Sequence, residues 1–145
     1  MRELTSKELR RSDSGFTLLE LLVVLAIMGM LAAIIAPQVI KYLGTSKTQA
    51  ARVQIQNDMA ALELFRLDVG RYPTQQEGLA ALVTAPPTAQ NWNGPYLKKD
   101  SALTDPWGEG YNYRNPGQHG EVDVFTLGRD KAPGGTGEDQ DVGSW

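Results

Sequence analysis

The chain of 145 residues contains no cysteine and only one histidine, and these two scarcities exclude several classes of function. Without cysteine there can be no disulfide framework, no thiolate metal site and no thiol nucleophile. The histidine, His119, lies among turn residues, and we interpret it as a structural hydrogen-bonding residue rather than a catalytic base. No pairing of a nucleophile with a base can be traced elsewhere, so the sequence does not predict an enzyme.

Positive charge is sparse as well. The chain has 14 Lys and Arg against 17 Asp and Glu, which gives a formal net charge of −3. The basic residues after position 15 are scattered and form no continuous face, so nucleic acid is not expected as a partner. The length allows one modest domain and one additional element.

Charge is almost absent from residues 16–40, where Glu20 is the single charged residue. A helix of this length spans roughly 37 Å, enough to cross the ~30 Å hydrocarbon core of a bilayer. A cleaved secretory signal peptide is the alternative, but the apolar run exceeds the usual hydrophobic core and no small-x-small cleavage site follows it. The sequence therefore predicts a retained membrane helix, preceded by a polar, disordered leader that ends at Gly15.

An amphipathic helix is predicted to follow over residues 41–69. Its apolar positions recur at steps of three and four, which places them on one face that packs against a small domain. They are Ile55, Met59, Leu62, Phe65 and Val69. The charged positions are expected on its other sides. They are Lys47, Arg52, Asp58, Glu63 and Arg66. Gly70 is a suitable stop for this helix.

Residues 70–127 are predicted to form loops and a small antiparallel sheet. A short helix is expected over 74–84, and strands over 111–114 and 121–127, joined by a long hairpin loop at 115–120. Trp107, Tyr111 and Tyr113 are expected to be core aromatics of the sheet. The fold class is α+β: a long N-terminal α-helix, half membrane-embedded and half amphipathic, packed on a small antiparallel β-sheet domain.

The junction between leader and helix is the segment Gly15-Phe16-Thr17-Leu18-Leu19-Glu20. An unpaired charge within an apolar layer costs a few kcal/mol on insertion scales, so such residues usually mark function. Glu20 could extend to the lipid headgroups. Alternatively, cleavage after Gly15 would create a cationic amine at Phe16, and Glu20 could pair with that amine on a staggered neighbour. The residues alone leave both interpretations open.

This junction resembles the class III leader junction of type IV pilins and type II secretion pseudopilins. The resemblance implies that a prepilin peptidase cleaves after Gly15 and N-methylates Phe16. It also implies that Glu20 pairs with the N-terminus of an adjacent subunit during assembly. Pro37 removes one helical hydrogen bond, so a fixed kink is one possibility. By resemblance to related filaments, Pro37 is predicted to mark a helix break that forms on assembly.

Further motifs are similar to the G-type pseudopilin family, and together they cover nearly all of residues 15–145. They are Tyr72-Pro73-Thr74, Gly78-Leu79-Ala80-Ala81-Leu82, Asn91-Trp92-Asn93-Gly94-Pro95-Tyr96-Leu97, Asp105-Pro106-Trp107-Gly108, Tyr111-x-Tyr113, Pro116-Gly117-x-His119-Gly120 and Asp141-Val142-Gly143-Ser144-Trp145. One departure is Gly110, where the family more often has proline.

Acidic residues and glycines are interleaved in the segment 128–145. Hard oxygen ligands on a bendable backbone suit calcium, although the spacing is not that of an EF-hand and a solvated acidic tail is the alternative. The resemblance implies a calcium site in this loop. Its implied ligands are the side chains of Asp130 and Asp141 and the Leu127 carbonyl. Asp139 is a further candidate whose match depends on the loop spacing.

The resemblance implies a domain order of a cleaved leader (1–15), a membrane and polymerisation helix (16–40) and a periplasmic domain (41–145). The expected function is that of the major pseudopilus subunit, which polymerises from the bacterial inner membrane to drive export of folded proteins across the outer membrane. Expected partners are further copies, minor pseudopilins, the prepilin peptidase, the inner-membrane assembly platform and membrane lipid.

Three alternatives remain at this point. An adhesive or motility pilin is disfavoured because such pilins typically carry a C-terminal disulfide loop. A minor pseudopilin more often lacks the combined Asp105-Pro106-Trp107-Gly108 and calcium-loop signatures. A periplasmic binding or enzymatic domain on a membrane anchor is the alternative from another class, and the mature N-terminus distinguishes it.

Overall fold

The computed structural model describes residues 15–98 and 100–145. The chain divides into two compact units, one ending at Gln38 and the other comprising Val39–Trp145. The predicted leader lies outside the described residues except for Gly15.

The first element is a 52-residue α-helix, α1, at Leu18–Val69. Its N-terminal part is long and apolar enough to cross a membrane, and the side chains there are exposed. The helix continues through Pro37 without interruption, so Pro37 does not end it in the isolated chain. The predicted break on assembly stays a prediction.

The Val39–Trp145 unit is built around the C-terminal half of α1. Ile55, Leu62 and Phe65 of the predicted apolar face are buried, and Met59 and Val69 pack against the same core partly buried. This part of the prediction is confirmed. Asp58 was predicted on a charged, outer side of the helix, and that assignment is wrong because its side chain is fully buried.

The sheet has three antiparallel strands in the order β1 (Asn112–Arg114), β2 (Asp123–Thr126) and β3 (Val142–Gly143). In register, Tyr113 lies opposite Val124 and Thr126 opposite Val142. The first two strands agree with the predicted strands, with shorter bounds. The third was not predicted, because a two-residue strand containing glycine carries no alternating pattern.

Three short 3₁₀ helices complete the unit, at Leu79–Leu82, Asp100–Leu103 and Gly137–Asp139. The first replaces the longer helix predicted over 74–84. Tyr111 and Tyr113 are buried as predicted, whereas Trp107 is only half-buried. The domain thus confirms the α+β architecture of a long helix packed on a small antiparallel sheet.

The connection after α1 is held by an ion pair between Arg71 and Glu77, whose Nη1 and Oε2 atoms lie 2.7 Å apart. Thr74 and Glu77 also form a capping box, in which each side chain accepts the backbone N–H of the other residue. The hydrogen bonds from Arg71 are the largest cause that lowers the pKa of Glu77 to about 2. The pair therefore stabilises this connection above the acid range.

Candidate assembly and metal-binding sites

The predicted processing junction is exposed and precedes α1. Gly15, Phe16 and Thr17 have no helical structure, and the Phe16 side chain is 86% exposed. Thr17 Oγ1 accepts the backbone N–H of Glu20 at 3.1 Å, which caps the start of the helix. The bond between Gly15 and Phe16 therefore lies outside regular secondary structure.

Glu20 lies in the first turn of α1 with an exposed side chain. A carboxylate at this position interacts favourably with the N-terminal end of the helix dipole. Within residues 15–98 and 100–145, no cationic side chain forms an ion pair with it. The partner expected for Glu20 is therefore not supplied by this part of the same chain.

The predicted calcium ligands occupy separate environments. Asp130 is exposed, and its Oδ1 accepts the backbone N–H of Ala132 at 3.2 Å. Asp139 pairs with Arg129, whose Nε lies 3.0 Å from its Oδ1. Asp141 Oδ2 accepts the N–H of Gly134 at 2.9 Å. These contacts hold the three carboxylates in local loop structure.

One buried oxygen among these three carboxylates has no hydrogen-bond partner in the described part of the chain. Asp141 Oδ1 is buried and unsatisfied, which is the environment in which a hard cation would be stabilised. In the part of the chain that the structure describes, however, no group of three acidic or histidine side chains is arranged to hold a metal ion. The predicted calcium site stays a prediction, and Asp141 is the residue that fits it best.

The acidic loop is fastened to α1 by residues that the sequence analysis did not single out. The Glu138 side chain lies against Gly44, which is buried in α1. The Oε2 atom of Glu138 also accepts a hydrogen bond from Trp107 Nε1–H at 3.3 Å. Thr48 Oγ1 donates to the carbonyl oxygen of Gly137 at 3.1 Å. A glycine inside a long helix costs stability relative to alanine, and this was the signal that could have indicated a close contact.

A second feature missed from sequence is the buried Asp58. Gln54 Nε2 donates to its Oδ1 at 2.8 Å, whereas Oδ2 is buried without a partner. Burial raises the pKa of Asp58 to about 7, and the Gln54 hydrogen bond lowers it only in part. The spacing of Ala51, Ile55, Asp58 and Leu62 at steps of four and three would have placed Asp58 on the buried face.

His119 has the structural role that was predicted. Its ring stacks on Trp145 with centroids 3.9 Å apart, and its Nδ1 lies 3.3 Å from Asp123 Oδ2. Asp123 is itself buried and accepts the backbone N–H groups of Gln118 and Gly120. The histidine therefore orders the hairpin turn and the C-terminal strand.

The chain is similar to known proteins over almost its whole length. The family model described as "Type II secretion system (T2SS), protein G" matches residues 38–145, and the "Prokaryotic N-terminal methylation motif" matches residues 10–36. The chain belongs to the type II secretion protein G family. This family consists of structural pseudopilin subunits, so the chain is a structural component of the secretion pseudopilus and not an enzyme.

Individual relatives agree with this assignment. The type II secretion system core protein G of Pseudomonas aeruginosa is 44% identical over 140 residues, covering 94% of this chain and 97% of the relative. That of Vibrio cholerae is 42% identical over 138 residues, covering 93% of each. The major pseudopilin of enterohaemorrhagic Escherichia coli, known from a crystal structure, is 36% identical in sequence to this chain. Its fold matches with a TM-score of 0.58 over 69% of this chain and 83% of that chain.

Proposed function

We propose that this chain is cut between Gly15 and Phe16, methylated on the new Phe16 amine, and held in the bacterial inner membrane by residues 16–40. Residues 41–145 then lie in the periplasm. Copies of the chain polymerise from the inner membrane into a pseudopilus that drives folded proteins across the outer membrane. A prepilin peptidase, an inner-membrane assembly platform and minor pseudopilins are the implied partners.

One observation carries this proposal. The exposed junction at Gly15 and Phe16 is followed by a carboxylate, Glu20, that has no ion-pair partner among the described residues. Glu20 lies one helical turn after Phe16, and burial of its charge in lipid without a partner is unfavourable. The amine created at Phe16 supplies the opposite charge on a neighbouring, staggered copy. Pairing of the two therefore favours insertion of each new subunit at the base of the filament.

Contacts of this kind are heterologous, because one end of a subunit binds a different part of the next. Heterologous contacts that do not close into a ring generate open helical filaments. Addition of subunits at the membrane moves the filament outward by one step each time. A separate cytoplasmic ATPase is the energy source for this step.

Calcium is the proposed ligand of the C-terminal loop. The side chains of Asp130 and Asp141 and the Leu127 carbonyl would hold it, with Asp139 as a further ligand if it leaves Arg129. The unsatisfied Asp141 Oδ1 supports this assignment. Calcium would supply positive charge to a loop that has many acidic groups and no disulfide.

The test is to express the chain together with a type II secretion machinery. We expect mass spectrometry to find a mature chain that begins at methylated Phe16, and electron microscopy to find surface fibres composed of this chain. A chain that keeps residues 1–15, or that is cut at another position, would contradict the proposal. The matched control is Gly15→Leu, which should block the cut and the fibres together.

A further inference from the structure

One edge of the small sheet is open. The strand β3 is last in the order β1-β2-β3, so in the described part of the chain only one of its sides pairs with another strand. An open edge presents unpaired N–H and C=O groups, and proteins often protect such an edge with lysine or proline. The residues of β3, Val142 and Gly143, supply neither. The open side of β3 is therefore a place where a further strand can pair.

The backbone of Gly143 faces this open side. Ser144 N–H donates to the carbonyl oxygen of Val124 at 3.0 Å, so Ser144 bonds inward to β2. Inward-bonded and outward-facing positions alternate along an antiparallel ladder. Gly143, which lies opposite Phe125, is therefore at an outward-facing position. Its N–H and C=O point away from β2 and can pair with an added strand.

A groove runs between this open side and helix α1. The groove has a volume of about 790 Å³, and residues 140–145 form its strand side. The helix contributes Arg52, Ile55, Gln56 and Met59 to the opposite wall. This volume is within the range of roughly 300–1,000 Å³ that is typical of ligand pockets. The open edge can bind the main chain of an extended peptide, and the helix wall can contact its side chains.

The two ends of the groove differ in charge. Arg52 is exposed at one end, and it forms no ion pair within residues 15–98 and 100–145. At the other end a second cavity, of about 230 Å³, shares Met59 with the groove and is lined by Glu63 and Glu121. The described residues pair both of these carboxylates with a single cation, Arg66, so this end keeps net negative charge. A complementary occupant has an acidic side chain near Arg52 and a basic one near Glu63.

The walls also set the direction of the occupant. Gln140 lines only the first cavity, whereas Trp145 lines both, so the strand runs from the Arg52 end toward the Glu63 end. Antiparallel pairing is slightly more stable than parallel pairing. An antiparallel occupant begins beside Glu63 and ends beside Arg52, which places its basic residue first and its acidic residue last.

The spacing of these two charges follows from the helix. Arg52 and Glu63 are 11 positions apart on α1, which is roughly 17 Å along its axis. Residues four apart on a strand are separated by roughly 13 Å, and their side chains point to the same face. The long side chains of Arg52 and of a lysine on the occupant cover the difference.

We propose that this groove binds an extended peptide segment of a partner protein as an added strand, antiparallel to β3. The segment has a lysine or arginine first, an aspartate or glutamate four residues later, and an apolar residue midway. With its second residue opposite Gly143, the midway residue lies opposite Val142, which is buried in the core beside the helix. The interaction surface is separate from the proposed polymerisation and does not depend on it.

Peptide binding to the full-length chain in dodecyl maltoside tests this proposal. The probe is acetyl-Lys-Thr-Val-Thr-Asp-amide, and isothermal titration calorimetry measures its dissociation constant. The matched peptide acetyl-Asp-Thr-Val-Thr-Lys-amide has the same composition with its charges exchanged, and we expect it to bind at least tenfold more weakly. Equal affinity of the two peptides, or no saturable binding of the first up to about 1 mM, would overturn the proposal.

An exchange of charge on the protein tests the contact with Arg52. Arg52→Glu should weaken binding of the first peptide at least tenfold, and it should strengthen binding of acetyl-Lys-Thr-Val-Thr-Lys-amide relative to the unmodified chain. Lys47→Glu is the matched control, because Lys47 is an exposed cation on the same helix that does not line the groove. It should leave both affinities within twofold. The same effect from both variants would mean that overall charge governs binding, contrary to the proposal.

Hydrogen exchange distinguishes an added strand from attachment by side chains alone. Bound peptide should slow exchange of the Gly143 amide at least tenfold. Methylation of the peptide nitrogen opposite Gly143 should weaken binding at least tenfold, because it removes the donor to the Gly143 carbonyl. Binding that shows neither effect would overturn strand addition. A dissociation constant that rises with protein concentration would show that a second copy of the chain fills the groove instead.

Discussion

Glu138 packs directly on Gly44. A Cβ atom at Gly44 would lie 2.5 Å from Glu138 Cγ and 2.6 Å from Glu138 Oε1, well inside van der Waals contact. The same carboxylate also receives a hydrogen bond from Trp107 and lies 3.9 Å from Arg129 Nη1. The missing side chain of Gly44 is therefore what lets the acidic loop reach the helix.

The first prediction follows from this contact. Alanine is favoured over glycine in a helix by about 1 kcal/mol, but at Gly44 its methyl group would displace Glu138 from Trp107. We expect Gly44→Ala to lower the free energy of unfolding by about 1 kcal/mol, because loss of the loop contacts outweighs the gain in helix propensity. Urea unfolding of the Val39–Trp145 unit measures this.

The control for that prediction reverses its sign. In a Glu138→Ala background the added methyl group meets no carboxylate, so Gly44→Ala should stabilise the unit by up to about 1 kcal/mol. The prediction fails if Gly44→Ala has the same effect in both backgrounds.

The second prediction concerns the buried carboxyl of Asp58. Its pKa, raised by burial to about 7, exceeds that of an exposed aspartate, so the folded state keeps a proton that the unfolded chain releases. The free energy of unfolding should therefore fall as pH rises from about 4 to about 7 and level off above that range. Between pH 5 and 7 the expected loss is about 2 kcal/mol.

Other shifted acids do not mask this effect. Glu77 has a lowered pKa of about 2, so it stabilises the fold above the ordinary glutamate pKa and loses that effect only as pH falls toward 2. Asp58→Asn should remove most of the decrease in unfolding free energy between pH 5 and 7. The control Glu121→Gln, which removes an exposed ion pair with Arg66, should keep that decrease. An unfolding free energy that is constant or rises over this range in the unmodified unit would contradict the prediction.

The sequence was sufficient to predict those parts of the fold that follow from the periodicity of apolar residues. The long helix, its buried face at Ile55, Leu62 and Phe65, and the first two strands could be predicted because apolar residues recur at the helical or strand period. The same reasoning failed at Asp58, because its charge was given more weight than its position. At β3 only two residues pair, which leaves no period to detect.

The candidate site was predictable to a different degree. Gly15, Phe16 and Glu20 lie within six consecutive residues, so their relationship needs no tertiary structure. The contacts of the acidic loop are long-range: Thr48 meets Gly137, and Gly44 meets Glu138. Such pairings depend on how the loop folds back on the helix, which local sequence does not specify.

The third prediction tests Glu20. Glu20→Ala removes the charge but keeps the apolar helix and the exposed junction, so cleavage before Phe16 and membrane insertion should be unchanged. Fibre yield should fall at least tenfold because the Phe16 amine of the neighbouring copy loses its partner. Mass spectrometry of the mature chain and electron microscopy of fibres measure the two effects separately.

Glu20→Gln is the matched variant, since it keeps the size and polarity of the side chain and loses only the charge. We expect it to behave as Glu20→Ala does. Normal fibres from either variant would show that the carboxylate is not needed for assembly and that it serves only to reach the lipid headgroups.

The last prediction concerns calcium and Asp141. If calcium binds the folded loop and not the unfolded chain, saturating calcium raises the melting temperature of the Val39–Trp145 unit by mass action, and EGTA removes that increase. With calcium in large excess over its dissociation constant the stabilisation is about 3 kcal/mol, which corresponds to a shift of 5 °C or more in a unit of this size. Differential scanning calorimetry measures it.

Asp141→Asn separates a metal ligand from a merely buried side chain. In EGTA the unmodified unit has an unpaired buried oxygen on Asp141, so neutralising the side chain should leave the melting temperature unchanged or raise it slightly. In calcium the same substitution should lower it, because the ligand charge is lost. This dependence of the sign on calcium is expected only of a ligand. Glu121→Gln should behave like the unmodified unit in both conditions. A melting temperature of the unmodified unit that is identical in calcium and in EGTA would mean that the acidic residues form only a solvated loop.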